Sequence, residues 1–269
     1  MLTKFLNYIV QYIPESNRWE RVWKIAQIDF KKRYYNDKLG VFWALLDPIF
    51  QVAIYYLVFT FLIQRNQEGG SENFALFLFS VIIFWKFFAE TFKTGMKILQ
   101  SKLYLIKSTQ IDKLDIFISL GISNTLGLLF NILAYIIAAL LSGIPFSTHL
   151  FTFPLLILIY LLIAIGSAMI IAVAHIYSKD INHIVQLFLQ LGFWTSGIFF
   201  PSEKVKEFWE PLYYLNPFLG LFENTRCVLL YDKSLNYEIL MVNLITAIVI
   251  FACGIFLIRT RSHLLLENI

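Results

Sequence analysis

Long apolar runs recur along this chain and constrain its fold more than any other feature. The runs that predict membrane spans cover residues 41–63, 74–92, 116–141, 154–177, 184–200 and 239–258. A helix needs about 20 apolar residues to cross the hydrocarbon core of a bilayer, so the fifth run is short. Only 15% of the residues are charged, against about 25% in an ordinary soluble domain. The sequence therefore predicts an all-α polytopic membrane protein with six transmembrane helices.

The stretch from residue 29 to 59 marks where the chain enters the lipid, because a basic amphipathic segment becomes apolar at Leu39-Gly40. Residues 1–40 are predicted to form a cytoplasmic amphipathic interface segment, and residues 41–269 the six-span domain. Within residues 18–35, one helix face carries Trp19, Val22, Trp23, Ala26, Phe30 and Tyr34, and the opposite face carries Glu20, Arg21, Lys24, Lys31 and Lys32. This pattern is typical of a helix that lies in the membrane surface. A soluble helix packed on another domain has the same pattern.

The distribution of Lys and Arg predicts the orientation in the membrane. If residues 1–40 are cytoplasmic, that side holds 17 of these residues: eight in the first segment, six in residues 86–115, and Lys179, Arg259 and Arg261. The other side holds five, namely Arg65, Lys204, Lys206, Arg226 and Lys233. Positive charge accumulates on the cytoplasmic side of membrane proteins, so both termini are predicted to be cytoplasmic.

Two connecting segments are predicted to contain helices of their own. Residues 93–115 are basic and cytoplasmic, and their apolar stripe (Met96, Leu99, Leu103 and Ile106) predicts a short helix across the membrane face. Residues 201–238 are external and begin with Pro201-Ser202-Glu203, which is typical of a helix start with Ser202 as cap. Asn216-Pro217 then breaks the chain. The following apolar stretch surrounds Glu223 and Arg226, which are three apart and could pair, and it predicts external re-entrant helices.

The chain carries no pattern of an enzyme active site. Its nearest match to a phosphate-binding loop, Gly192 to Gly197, continues with Ile198-Phe199 where Lys-Ser/Thr is needed. It has no HExxH or CxxC pattern, and its two cysteines and four histidines predict no metal site. We therefore expect no catalytic residue, no metal and no cofactor bound by this chain.

Three ionisable residues fall at membrane level, where such groups usually face a bundle interior, a wet cavity or an interface. Lys86 and Glu90 are four apart on one helix face. They either neutralise each other near the cytoplasmic end or contribute to a polar path. Asp47 precedes Pro48, which predicts a kink in the first span because proline lacks a backbone donor. The Asp47 carboxylate either holds that kink or lines a path.

Aromatic side chains in the first and fifth predicted spans are candidate contacts for a sugar chain. Trp43 and Phe50 are seven residues apart, and Tyr55 and Phe59 are four apart, so each pair shares a helix face. The candidates in the fifth span are Phe193, Trp194 and Phe199. Sugar rings stack on aromatic faces through their C–H groups, in a contact that permits sliding. Lipid contact and helix packing are the alternative explanation of the same rings.

A set of short motifs follows in order along the chain. They are Asp29-Phe30-Lys31-Lys32-Arg33-Tyr34, Leu39-Gly40-Val41-Phe42-Trp43, Asp47-Pro48, Tyr177-Ser178-Lys179-Asp180-Ile181-Asn182-His183, Gly197-Ile198-Phe199-Phe200-Pro201, Leu215-Asn216-Pro217-Phe218 and Arg226. Over nearly the whole chain they resemble the permease subunit of ATP-binding-cassette exporters for lipid-linked polysaccharides such as O-antigen, capsule or teichoic acid. Two positions depart from that pattern: Lys179 stands where Arg is usual, and no Phe-Pro follows Lys107.

The resemblance implies a transporter subunit rather than an enzyme, located in the plasma (inner) membrane of a bacterium. It implies a homodimer paired with two copies of a separate nucleotide-binding ATPase subunit, which binds the ATP and Mg. The implied substrate is a lipid-linked glycan, the surroundings are membrane lipids, and no nucleic acid is involved. The same permease fold also exports drugs, peptides or small lipids, which is the alternative function. A membrane-anchored assembly factor is a third possibility.

The resemblance also implies roles for particular residues. A short helix within residues 94–107 would dock on the ATPase, with Lys97, Leu99, Lys102, Leu103, Ile106 and Lys107 as the coupling residues. The interface helix would present Lys31, Lys32, Arg33 and Tyr34 at the same place. Spans one and five would face the translocation path, lined by Trp43, Phe50, Tyr55, Phe59, Phe193, Trp194 and Phe199. The external helices would form an outer gate containing Pro201, Asn216, Pro217 and Arg226.

Overall fold

The computed structural model describes residues 17–34, 39–58, 74–109, 111–144 and 147–261. Within these ranges all regular structure is helical, as predicted. In chain order the helices are α1 (Arg18–Tyr34), α2 (Trp43–Leu57), α3 (Phe74–Ser101), α4 (Leu103–Thr109), α5 (Lys113–Leu141), α6 (Phe153–Tyr177), α7 (Ile181–Thr195), α8 (Ser202–Phe208), α9 (Glu210–Leu215), α10 (Pro217–Leu229) and α11 (Tyr237–Arg261). Short 3₁₀ turns, Gly40–Phe42 and Leu150–Thr152, lead into α2 and α6.

Four helices in the described part of the chain are long and apolar enough to cross a membrane: α3, α5, α6 with its preceding 3₁₀ turn, and α11. They coincide with the second, third, fourth and sixth predicted spans. The first and fifth correspond to α2 and α7, each of 15 residues. Such a helix is about 22 Å long, shorter than the roughly 30 Å hydrocarbon core. Residues 59–63 of the first predicted span lie outside the described residues, and residues 196–200 of the fifth form bends.

Helix α3 lies at the centre of the bundle and packs against α6 and α5. Phe84 on α3 stacks on Tyr160 of α6 with ring centroids 4.5 Å apart, and both side chains are fully buried. On its far side α6 packs against α11 with the backbones nearly in contact. A Cβ atom on Gly166 would lie 2.7 Å from the Cα of Phe251, closer than real Cβ atoms come. Small residues of this kind let membrane helices approach each other closely.

Helix α1 packs along α5. Val22, Ile25 and Ala26 are buried, whereas Trp19 and Trp23 remain 66% and 44% exposed. At its start Arg18 forms an ion pair with Asp115 at 2.6 Å. Part of the apolar face predicted for this helix therefore packs against the protein, and the two tryptophans at its edge remain exposed.

Prolines and asparagines shape the shorter helices. Pro48 lies inside α2, and the helix continues past it to Leu57. Asn216 caps α10 by accepting a hydrogen bond from the backbone N–H of Phe218 at 3.1 Å. The prediction that Ser202 is a cap is wrong, because Ser202 is the first residue of α8 and donates its hydroxyl to Glu223 instead.

Candidate functional site

Helices α2, α3, α5 and α7, together with the end of α1, line an open cavity of about 850 Å³. Its lining contains five charged, five aromatic and five amide side chains: Arg33, Asp47, Lys86, Glu90 and Lys93; Trp43, Tyr55, Trp85, Phe87 and Phe193; and Gln51, Asn124, Asn131, Gln186 and Gln190. Charged and amide groups within membrane-spanning bundles usually face the bundle interior or a water-filled cavity rather than lipid.

Two helices line the cavity with faces of regular spacing. On α3 the lining residues Lys86, Ala89, Glu90 and Lys93 follow at steps of three, four and seven. On α7 the set Gln186, Leu189, Gln190 and Phe193 has the same steps. Residues at these steps share one face of an α-helix. Each helix therefore turns a mixed polar and apolar stripe toward the cavity.

The structure brings the three ionisable residues predicted at membrane level to one place. Asp47, Lys86 and Glu90 all line the cavity. No ion pair within 4.0 Å joins any two of them in the described part of the chain. Glu90 instead accepts a hydrogen bond from the Thr94 hydroxyl at 3.2 Å.

A chain of hydrogen bonds fixes the end of the cavity next to α1. Arg33, near the end of α1, donates from Nη2 to Oδ1 of Asn124 on α5. Asn124 in turn donates from Nδ2 to the Thr91 hydroxyl on α3 at 2.8 Å, and Thr91 donates to the carbonyl of Phe87 at 2.7 Å. Asn124 and Thr91 are buried. This relay ties three helices together and orients the Asn124 carbonyl toward the Arg33 guanidinium.

Aromatic rings join the first and fifth predicted spans. The Tyr55 ring lies 5.7 Å from Phe193 and 5.3 Å from Phe199, centroid to centroid. Phe193 and Phe199 are 5.3 Å apart, and Trp194 stacks on Phe199 at 4.9 Å. These distances fall in the favourable range for aromatic pairs. We call Tyr55, Phe193, Trp194 and Phe199 the aromatic cluster.

The remaining predicted path residues are placed differently. Trp43 lines the cavity apart from the aromatic cluster. Phe50 is 56% exposed and is not among the lining residues. Phe59 lies outside the described residues.

Sequence reasoning missed Trp85. Its ring contacts Gly192 so closely that a Cβ atom added to Gly192 would lie 2.6 Å from the ring. It also missed Gln186 and Gln190, which the regular spacing on α7 could have revealed.

Arg226 is buried beyond the aromatic cluster, and its guanidinium donates hydrogen bonds to backbone carbonyls. Its Nη2 donates to the carbonyl of Ile198 at 2.8 Å, and its Nη1 and Nε make longer contacts of 3.5 Å with the carbonyls of Phe200 and Phe77. Its guanidinium carbon lies 3.5 Å from the centre of the Phe77 ring. Arg226 therefore holds the bend at residues 196–200 against the start of α3.

The prediction that Glu223 pairs with Arg226 is wrong. Glu223 accepts hydrogen bonds from the Ser202 and Tyr213 hydroxyls at 2.8 and 2.7 Å and from Asn236 at 3.2 Å. It thereby joins α8, α9 and α10 to the segment before α11. Burial of the Tyr213 hydroxyl, together with its bond to the Glu223 carboxylate, raises the pKa of Tyr213.

The predicted short helix within residues 94–107 has different bounds in the structure. Helix α3 continues to Ser101, and the separate short helix is α4. Of the implied coupling residues, Lys97 and Lys107 are exposed, Leu99 is 1% exposed, and Leu103 and Ile106 are half-buried. Lys102, in the turn between α3 and α4, forms an ion pair with Asp29 of α1. Burial lowers the pKa of Lys102, and the Asp29 carboxylate opposes that shift.

The other implied residues lie where the elements change direction. Lys31 and Lys32 are exposed on the last turn of α1, and Tyr34 ends that helix. Pro201 precedes α8, and Pro217 is the first residue of α10.

Within the described residues no three His, Cys, Asp or Glu side chains come close enough to hold a metal ion.

Comparison with known proteins places the chain among membrane transport subunits. It is 21% identical to the O-antigen export system permease protein RfbA of Myxococcus xanthus, over 91% of this chain and 94% of that protein. It is 22% identical to RfbA of Klebsiella pneumoniae, over 89% and 91% of the two chains. It is likewise 22% identical to the polysialic acid transport protein KpsM of Escherichia coli, over 89% and 93%.

A family model described as ABC-2 type transporter matches residues 20–230. The match begins in α1, includes every helix that lines the cavity, and ends just after α10. Because it spans well over half of the sequence, the chain belongs to the ABC-2 type transporter family.

Proposed function

We propose that this chain is the channel-forming membrane subunit of an ATP-driven exporter that moves a lipid-linked polysaccharide across the inner membrane of a bacterium. The observation that carries the proposal is the cavity between α2, α3, α5 and α7, which combines polar groups with aromatic rings at membrane level. The names of the relatives, which are permeases for O-antigen and polysialic acid, support a glycan as the substrate. The chain itself performs no chemistry on the glycan.

Exposed apolar faces on α2 and α7 support assembly as a homodimer. On α2, Ile49, Phe50, Ile54 and Leu57 are exposed, and on α7, Ile184, Leu187, Leu191 and Trp194 are exposed. Gln186 and Gln190 on α7 are exposed as well, which makes part of that helix too polar to face lipid. A second copy would cover these helices and close the path between the protomers. In this arrangement α2 and α7 complete the six spans.

A separate ATPase, present in two copies, would supply the energy and bind the ATP and Mg. Lys97, near the end of α3, and Lys107, in the last turn of α4, are exposed and would contact this ATPase. Leu99 and Lys102 are turned toward the protein, so their role would be to position the segment. The Lys102–Asp29 pair would make α1, the proposed interface helix, move together with the turn before α4.

The glycan would pass from the charged cytoplasmic side of the cavity across the rings of the aromatic cluster. Weak repeated contacts suit a long polymer, because a path fails to conduct when one site binds too tightly. Helices α8, α9 and α10 would form the outer gate as re-entrant helices. The hydrogen bonds of Arg226 to backbone carbonyls and those of Glu223 would fix the position of this gate relative to the aromatic cluster.

The proposed orientation, with both termini cytoplasmic, gives a direct expectation for thiol labelling. Cysteines at Thr148 and Lys206 should react with an impermeant reagent added outside the cell, in a background lacking Cys227 and Cys253. Cysteines at Lys102 and Lys179 should react only after the membrane is opened. The contact of Asp232 with Ser147 and Thr148 supports placing both outer loops on one side. Labelling of position 179 in intact cells would contradict this orientation.

The decisive test of the function is export itself. Deleting the chain in its bacterium should remove the surface glycan and accumulate the lipid-linked precursor on the cytoplasmic leaflet, and a plasmid copy should restore both. The purified complex should contain two copies of this chain and two ATPase subunits. An unchanged surface glycan together with altered drug resistance would reject the proposal and favour a drug exporter.

A further inference from the structure

We infer that a groove between α1, α5, α6 and α11 binds one acyl chain of an anionic phospholipid. The groove is open and has a volume of about 520 Å³. It shares no lining residue with the cavity described above. Neither α2 nor α7, the proposed dimer helices, contributes to it, so a second copy bound there would leave it uncovered. The inference requires only that the bundle spans a membrane, and it does not depend on the substrate.

The groove has the depth and the length that a hydrocarbon chain needs. Its floor contains Phe117 and Met169, which are 0% and 1% exposed, and its rim contains Leu158, which is 49% exposed. Along α5 the lining runs from Leu114 to Leu126, a distance of about 18 Å at the helical rise of 1.5 Å per residue. One leaflet contributes about 15 Å to the hydrocarbon core. A single acyl chain of one leaflet therefore matches the groove in length.

The lining favours a hydrocarbon over water. Among the lining residues that the structure describes, only Trp23 and Thr125 carry a nitrogen or oxygen atom in the side chain. The Thr125 hydroxyl already donates to the carbonyl of Gly121 at 2.8 Å. A buried water needs two to four polar partners, which this lining does not offer. An empty groove would lose dispersion contacts along its whole length, and a lipid chain from the adjoining bilayer restores them.

One end of the groove is built where α1, the start of α5 and the end of α11 meet. Ile258 of α11 belongs to the same buried apolar cluster as Ile25 of α1 and Ile116 of α5. Arg259 follows Ile258 directly and lies one helical turn beyond Ile255, which lines the groove. Residues four apart share a helix face, so Arg259 continues the groove face of α11 past its apolar part.

The charge at this end is positive. Residues 18–24, 112–115 and 258–261 contain six Lys or Arg and three Asp or Glu. The Asp115 carboxylate is already paired with Arg18. Arg259 is exposed and forms no ion pair within 4.0 Å with a described residue. Trp23, which lines the groove and is 44% exposed, belongs to a residue type enriched at headgroup depth. A phosphate placed beside Arg259 thus lets the attached acyl chain run along α5 and α6.

Photo-crosslinking of the full chain in phosphatidylcholine nanodiscs tests the inference. The probe is a trace of phosphatidylglycerol with a diazirine in one acyl chain, and adducts are mapped by mass spectrometry. Wild-type adducts should concentrate on residues 114–126 and 158–169. Phosphatidylcholine with the same diazirine should label these segments about fivefold less, which is the effect of one arginine near a membrane surface on an anionic lipid.

Filling the groove should remove this labelling. Ile122→Trp/Leu158→Trp adds two large rings to the lining, and a filled groove has no room for a chain. The matched control is Leu129→Trp/Leu155→Trp, on the same two helices at exposed positions outside the groove, and it should label like the wild type. If the groove-filled double variant is not monodisperse, Leu158→Trp decides alone, because that side chain is exposed.

A second pair of variants tests the headgroup. Arg259→Gln should reduce labelling of the groove by phosphatidylglycerol about fivefold and leave labelling by phosphatidylcholine unchanged. Lys179→Gln removes one exposed cation outside the groove and should change neither.

Each contrary result has a definite meaning. Equal labelling of the groove in the wild type and in the groove-filled variant would show that no acyl chain occupies it. Equal labelling by the two probes, or by phosphatidylglycerol in the wild type and in Arg259→Gln, would reject the anionic headgroup. Stronger displacement of the probe by unlabelled undecaprenyl phosphate than by unlabelled phosphatidylglycerol would assign the groove to a carrier lipid and overturn the inference. None of these measurements involves export, so the proposed function is tested separately.

Discussion

Replacing Lys102 by glutamate is expected to reduce glycan export at least about fivefold, and adding Asp29→Lys is expected to restore most of it. In the folded chain Lys102 and Asp29 pair across the junction of α1 with the turn between α3 and α4. Their side chains are only 15% and 24% exposed. Removing one partner of a fully buried pair costs about 3–5 kcal/mol. Partial exposure reduces that figure to roughly 1–3 kcal/mol, which corresponds to a change of about fivefold to over a hundredfold in an equilibrium constant.

The rescue makes this prediction specific. Lys102→Glu places two carboxylates where an ion pair stood, so α1 should detach from the α3–α4 turn. The charge-reversed pair recreates the attraction with the same number of charges. Lys179→Glu is the matched control, since Lys179 is exposed on the same side and forms no ion pair with a described residue. Export is measured as surface glycan per cell at equal membrane expression. A double variant no better than Lys102→Glu would mean that the pair does not join these segments.

The triple variant Trp43→Leu, Tyr55→Leu and Phe193→Leu is expected to block export of long chains while the complex remains folded. All three rings line the cavity and are only partly exposed. Stacking of an aromatic side chain on a nucleic acid base contributes about 1–3 kcal/mol, and we take a similar range for a sugar. A single replacement by leucine, which keeps part of the apolar contact, should slow export about fivefold, as the lower end of that range implies. Three together should reduce it by well over about tenfold.

Three exposed rings away from the cavity provide the control. Phe151→Leu, Tyr177→Leu and Phe256→Leu replace the same number of aromatic residues at positions 78%, 59% and 65% exposed. This variant should export normally. Glycan length is read on gels of surface polysaccharide, and basal ATPase activity reports the folded complex. Normal long chains in the cavity variant, at normal expression, would show that these rings serve packing alone.

The sequence predicted the four long helices well because their apolar runs are buried in the structure or face lipid, and either environment demands the same residues. The end of α3 was harder to place. The stripe Met96, Leu99, Leu103 and Ile106 continues through the turn at Lys102, so periodicity does not reveal the break. Burial of Met96 and Leu99 against neighbouring helices extends α3 to Ser101.

The site was predicted in part. Helical spacing singled out Tyr55 together with Phe59, and Phe193 was a candidate as an aromatic residue of the fifth predicted span. The structure brings Tyr55 and Phe193 together. The relay of Arg33, Asn124 and Thr91 escaped detection because Arg33 and Asn124 are 91 residues apart. Local spacing also suggested the pair of Glu223 and Arg226. Both residues instead form hydrogen bonds with other segments. Arg226 donates to backbone carbonyls, and Glu223 accepts from hydroxyl groups.

The crossing of α6 and α11 at Gly166 has a practical consequence. Gly254 approaches from the other helix, where an added Cβ would lie 2.8 Å from the Gly166 carbonyl oxygen. With backbone against backbone, neither helix can rotate or slide without a collision, since no flexible side chain lies between them to absorb the motion. The distance between α6 and α11 should therefore stay constant. Spectroscopic labels on these two helices supply the constant distance against which any displacement of α2 or α7 during a transport cycle can be measured.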